Sequence, residues 1–137
     1  MHQGADTISC KVVLPTGDGG LWMVQYTDGH RSLPGGRAEP GETFEVAARR
    51  ELQEEIGARV GTLKLVDAWL MLQDPRRDGQ DCLVLLYMGD IKGKPSDRLS
   101  AEGEQAVRVS LADIAQTELR PAYQAALQRL IQRGKLA

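Results

Sequence analysis

The stretch from Gly36 to Ala58, GRAEPGETFEVAARRELQEEIGA, decides how this chain is read. Its second half has the spacing of a helix entered near Glu42 and Thr43 and closed at Gly57, a residue type favoured just past a helix end. Glu51, Glu54 and Glu55 stand at i, i+3 and i+4. At about 100° per residue they fall within an arc of roughly 100° on one face. Phe44, Ala47, Ala48 and Leu52 lie on or beside that arc, so the acids extend the stripe expected to point inward. Like charges at this spacing oppose the helix by about a few tenths of a kcal/mol, and partial burial of ionised carboxylates costs more. A hard divalent cation offsets both costs. Magnesium prefers oxygen ligands, takes a few carboxylates and keeps waters or phosphate oxygens in its shell. A Glu-rich helix taken alone is more often a solvated face, so the acids gain meaning only from what surrounds them.

Length and charge bound the alternatives. A chain of 137 residues fits one domain, expected to span 1–137. Its 17 basic and 19 acidic residues give a net charge of −2, with neither sign gathered into a block. That argues against a nucleic-acid arm and against a polybasic membrane anchor, and for a small partner. Cys10 and Cys82 lie far apart in apolar runs, which suits buried thiols rather than a disulfide framework or metal knuckle. The start, MHQGADTIS, lacks a basic then apolar leader, and no apolar run approaches a membrane span; a cytoplasmic location is the expectation.

On either side of the acidic helix the pattern alternates between strand and helix. Ile8–Leu14 and Leu21–Tyr26 read as an antiparallel pair joined by the glycine-rich PTGDGG. Leu63–Leu72 and Cys82–Met88 read as two central strands separated by QDPRRDGQD. A short strand over Val107–Ser110 precedes a short helix near Leu111–Gln116. In a terminal helix Tyr123, Ala126, Leu127, Leu130 and Ile131 recur at helical spacing, with Pro121 acceptable in its first turn. Helices before and after a mixed β-sheet predict an α/β fold of the layered α/β/α kind.

The stretch from Gly36 resembles the Nudix box: Gly, five residues, Glu, seven residues, Arg-Glu, an aliphatic residue, any residue, Glu-Glu, any residue, Gly and an aliphatic residue. Gly36, Glu42, Arg50, Glu51, Glu54, Glu55 and Gly57 fill every fixed position. Seven such coincidences have a chance probability on the order of 10⁻⁹ per starting point. Only the last aliphatic position is soft, where Ala58 is small. The resemblance implies a Nudix-type α/β/α sandwich of the small MutT type, with Mg²⁺ as the cofactor and Mn²⁺ as an acceptable substitute. It implies that Glu51, Glu54 and Glu55 are metal ligands, that Arg50 orients a neighbouring glutamate, and that Glu42 supports the helix start. By the same resemblance the LPGG turn lends a backbone contact, for which Gly36 is the candidate. A further acid from a loop before the last strand is implied. Glu102 and Glu104 are available, and a spacing of six residues before a Trp selects Glu102, although Arg108 stands at the Trp position.

The reaction implied is hydrolysis of a pyrophosphate bond in a small nucleotide, most simply a (deoxy)nucleoside triphosphate giving nucleotide and pyrophosphate. Two alternatives stay open: an ADP-ribose or nucleotide-sugar pyrophosphatase, and a nucleotide-sensing module that hydrolyses nothing. Pairing into a homodimer is also left open. For substrate contacts, Tyr26 and Trp69 are the aromatic candidates and Arg31 a phosphate candidate, with Arg76 and Arg77 as further basic residues. Each has an ordinary explanation in packing or solvation. His30 is not assigned a catalytic part.

Overall fold

The computed structural model describes residues 7–75 and 78–136. Its strands are β1 (Thr7–Pro15), β2 (Gly20–Gln25), β3 (Arg31–Ser32), β4 (Gly35–Arg37), β5 (Arg59–Asp74), β6 (Gln80–Lys92) and β7 (Gln105–Ser110). The helices are α1 (Phe44–Ile56) and α2 (Pro121–Gln132), with a 3₁₀ turn at Leu111–Gln116. Arg76 and Arg77, named above as phosphate candidates, lie outside the described residues. Among the described residues no helix is long and apolar enough to cross a membrane.

The sheet is mixed, in the order β3-β2-β1-β6-β5, with β4 added to β1 and β7 to β2. β1 runs parallel to β6 from Thr7↔Cys82 to Val13↔Met88, and the remaining pairings are antiparallel. Side chains alternate across such a strand, and β1 shows the consequence. Cys10, Val12 and Leu14 pack with Ala47, Ala48, Leu52 and Ile56 of α1, whereas Val13 joins the opposite core with Tyr123, Ala126, Leu127 and Leu130 of α2. Two cores on two faces make the α/β/α sandwich that the sequence predicts.

β1 and β2 are the antiparallel neighbours expected, paired beside their turn at Leu14↔Trp22 and Pro15↔Leu21, while β4 takes the rest of that β1 edge and β2 pairs along its length with β7. Two local expectations are corrected. β6 is central, but β5 is the edge strand, and Leu65, Leu70 and Leu72 are about half exposed or more. Phe44 sits in the first turn of α1 and is 40% exposed, off the inward stripe. The ends of α1 follow the sequence closely. Thr43 caps it by accepting a bond from Val46 N, and Gly57 closes it at φ 59°. Both cysteines are buried free thiols.

Candidate active site

The hydrogen-bond alternation between β1 and β4 sets the floor of the site. Val12 N donates to Pro34 O and Ala38 N to Ile8 O, so in an antiparallel ladder the intervening pair Cys10 and Gly36 also faces inward. Gly35 and Arg37 then turn their backbone groups away from β1. Gly35 N donates to Glu55 Oε1 at 2.6 Å, Gly35 O accepts from Lys11 Nζ at 2.9 Å, and Arg37 O accepts from Arg50 at 3.1 Å. Within β4 it is the Gly35 backbone that meets Glu55 and Lys11. What Gly36 supplies is space, because a Cβ there would stand 2.8 Å from the Glu51 carboxyl carbon.

Above this floor α1 presents its acids. Arg50 gathers them: its guanidinium reaches Glu42 at 2.7 and 2.9 Å, Glu51 at 3.0 Å and Glu54 at 3.2 Å. A fork-shaped, permanently charged group has more donors than an ammonium and fixes their directions, so it can hold several carboxylates at once. The Arg50 bonds, with a further one from Glu39 N, pull the Glu42 carboxyl down to about 2. Burial raises Glu51 despite Arg50, and burial lifts Glu55 to about 8, against the opposing charge of Lys11 and the bond from Gly35. Glu55 is only 6% exposed, so a carboxyl sits at the base of the cleft with too little positive charge to keep it ionised at neutral pH.

Glu51, Glu54 and Glu55 share a cavity of about 360 Å³ with Ser100, Ala101, Glu102 and Glu104. Both loop acids thus come to the cleft. Glu104, held by Ser100 at 3.0 Å, is the one whose charge bears on Glu55, while the backbone N of Glu102 bonds Ser100. Arg108, at the position where the resemblance expects Trp, reaches away to Asp18, with bonds of 3.0 Å to its side chain and to its carbonyl. That latches β7 to the β1–β2 turn.

The substrate candidates do not gather at this cleft. Tyr26 stacks on His30 with ring centroids 4.4 Å apart, and Asp28 holds the His30 ring at 2.6 Å. Arg31 bonds Gln25 and lines a separate cavity of about 180 Å³ with His30, Ser32, Leu119, Arg120 and Tyr123. Trp69 packs edge-on against Tyr123 at 5.5 Å in the α2 core. Sequence reading missed Lys11 altogether, although a lone lysine inside the apolar run ISCKVVL was the available signal.

The donor set suits a hard divalent ion: the cavity wall carries carboxylates and no sulfur or imidazole, and the Gly35 backbone lies beside Glu55. Among the described residues no three such acidic groups already stand close enough to grip an ion. The buried Glu55 carboxyl is the observation that favours the fit, because an added cation removes its cost.

Comparison with known proteins agrees with this geometry. Over 90 residues the chain is 34% identical to YtkD of Bacillus subtilis (strain 168), provisionally named an 8-oxo-dGTP diphosphatase, covering 62% of this chain and 53% of that one. It is 46% identical over 79 residues to the nucleoside triphosphatase NudI of Enterobacter sp. (strain 638), covering 51% and 52%. The matches thus span about half the length of these relatives. A solved structure of MutT, from work on the Aliivibrio salmonicida and Vibrio cholerae proteins, superposes with a TM-score of 0.74 at 23% identity, covering 93% of this chain and 98% of that one. The NUDIX domain model matches residues 7–130. With the box intact on α1 and the fold shared, the chain belongs to the NUDIX family.

Proposed function

We propose that the chain is a divalent-metal-dependent nucleotide pyrophosphohydrolase that converts a (deoxy)nucleoside triphosphate to the nucleotide and pyrophosphate. The observation that carries this is the shared cavity of Glu51, Glu54, Glu55, Glu102 and Glu104, with the Gly35 amide bonded to Glu55. Five carboxylates around one space repel a polyphosphate unless cations intervene, so the site makes chemical sense only with metal. Glu51, Glu54 and Glu55, with Glu104 or Glu102 from the loop, would hold Mg²⁺ or Mn²⁺, and the Gly35 carbonyl is the backbone donor. When bound, the ion supplies charge neutralisation at the phosphate oxygens and acidifies a water. A cleft glutamate accepts the proton of the attacking water as its oxygen bonds phosphorus and the bridging P–O bond breaks, releasing pyrophosphate. Arg50 keeps the flanking acids aimed.

The names of YtkD and NudI support triphosphates over other linked diphosphates. The test is a panel of nucleoside triphosphates, 8-oxo-dGTP, ADP-ribose, nucleotide sugars and dinucleoside polyphosphates incubated with Mg²⁺, with products identified by mass. Nucleotide and pyrophosphate from a triphosphate is the expected result. Cleavage of ADP-ribose or a nucleotide sugar alone would move the substrate class, and release from no member would leave a binding module.

A further inference from the structure

Lys11 is the one buried lysine among the described residues, 8% exposed in the middle of β1. Burying an ammonium is costly unless hydrogen bonds and opposite charge offset it. Its Nζ donates to Gly35 O at 2.9 Å and Leu33 O at 3.2 Å. The amide of the same Gly35 donates to Glu55 at 2.6 Å. Gly35 thus carries a cation on its carbonyl and a carboxyl on its amide, at the β4 edge that faces the cleft. The charge of Lys11 also reaches both Glu55 and Glu51, favouring their ionised forms. A carbonyl oxygen that an ammonium holds at this distance is the same donor that an incoming divalent ion would use.

We propose that Lys11 is a resident cation of the acidic cleft, competing with a divalent ion for the Gly35 carbonyl and so setting how tightly the cleft takes up metal. This rests on the metal-dependent reading above. Before metal arrives, the ammonium holds the Leu33–Gly35 turn in shape and partly neutralises the base of the cleft. As metal enters, two positive centres crowd one carbonyl, and Lys11 must swing away or weaken the ion. Lys11 is a positioning residue in this account; it touches the metal's donor and not the reacting phosphorus.

The test is a Mn²⁺ titration of the full chain without substrate, followed by electron paramagnetic resonance, on the wild type and on Lys11→Met, Lys11→Gln and Lys11→Arg. Removing one unit of positive charge beside a divalent ion should tighten Mn²⁺ binding by about tenfold or more in the Met and Gln variants. The Arg variant should stay near the wild type. In Lys11→Gln the amide can still donate to Gly35, which separates charge from turn-holding. Equal or weaker binding in the neutral variants would overturn the proposal and leave Lys11 as a brace for the turn. A second readout needs no variant: Mn²⁺ should raise the acylation rate of the Lys11 amine in the wild type, measured by peptide mass spectrometry, and an unchanged rate counts against displacement. Absence of Mn²⁺ binding in every protein would overturn both this proposal and the metal reading, whereas equal binding throughout would overturn this one alone.

Discussion

Asp74 and Arg120, 46 residues apart, meet in a two-pronged ion pair of 2.7 and 3.0 Å that joins the end of β5 to the start of α2. The Asp74 side chain is wholly buried while that of Arg120 remains 24% exposed. Breaking a buried pair costs more than a surface one, because the remaining partner loses its compensation. Here Arg120 retains access to water, which softens the loss. Asp74→Ala should therefore cost about 2–4 kcal/mol, read as a lower urea midpoint with an unchanged slope. A change below about 0.5 kcal/mol would show that the pair behaves as an exposed one.

Glu55 gives the pH dependence its sign. In the metal-free fold its carboxyl keeps a proton up to about 8, whereas the unfolded chain releases it near 4.5. The folded state thus binds more protons across that window, so this contribution is complete below the lower value and is lost as pH rises through the upper one. With metal removed by chelator, the thermal midpoint should fall as pH is raised from 5 to 8, limits set by those two values. Glu55→Gln should flatten that slope. Metal binding in the same window should release protons, measurable by calorimetry in buffers of different ionisation heat. No proton release would mean that Glu55 is already ionised.

The box was legible because its information is local. Three acids at i, i+3 and i+4, a capping Thr43 and a closing Gly57 specify a helix and its acidic face within one segment. The α2 stripe was legible for the same reason. What joins distant segments was not. The place of Gly35 at the cleft depends on which residues of β4 face β1, a one-residue choice that no local pattern fixes. Lys11 has no local signal beyond being a lone lysine in an apolar strand, and only the pairing of β1 with β4 brings its ammonium to Gly35. β5 and β6 look alike as apolar runs, and it is the parallel pairing of β6 with β1 that leaves β5 at the edge. The spacing that selects Glu102 is silent on Glu104, which Ser100 holds on the same cavity.

Arg50 should be needed for chemistry beyond its charge. It bonds Glu42, Glu51, Glu54 and the Arg37 carbonyl together. Loss of a residue that orients ligands typically costs about 10–100-fold in metal affinity or rate, and that range is expected for Arg50→Ala in nucleotide turnover. Arg50→Lys should recover little, because a single ammonium cannot bridge the same four groups. Steady-state kinetics across a Mg²⁺ series checks both, and full rescue by lysine would reduce Arg50 to a point charge.

The two glycines of the turn should fail in different ways when a methyl group is added. At Gly35, with φ +115°, a Cβ would stand 2.1 Å from the Cys10 carbonyl oxygen and 2.8 Å from the Lys11 Cα. Both neighbours are backbone in a central strand and cannot give way, so Gly35→Ala should cost roughly 3 kcal/mol or more in stability. At Gly36 the new Cβ meets the Glu51 carboxyl at 2.8 Å, the far end of a flexible side chain. Glu51 can move, so Gly36→Ala should stay within about 1 kcal/mol of the wild type while losing turnover on the order of 10²-fold through a displaced ligand. Urea denaturation and turnover measured on both variants separate the outcomes. The opposite ranking, a stable Gly35→Ala and an unfolded Gly36→Ala, would mean that Gly36 rather than Gly35 lies against β1 under strain. Unchanged turnover in Gly36→Ala would remove Glu51 from the reacting centre.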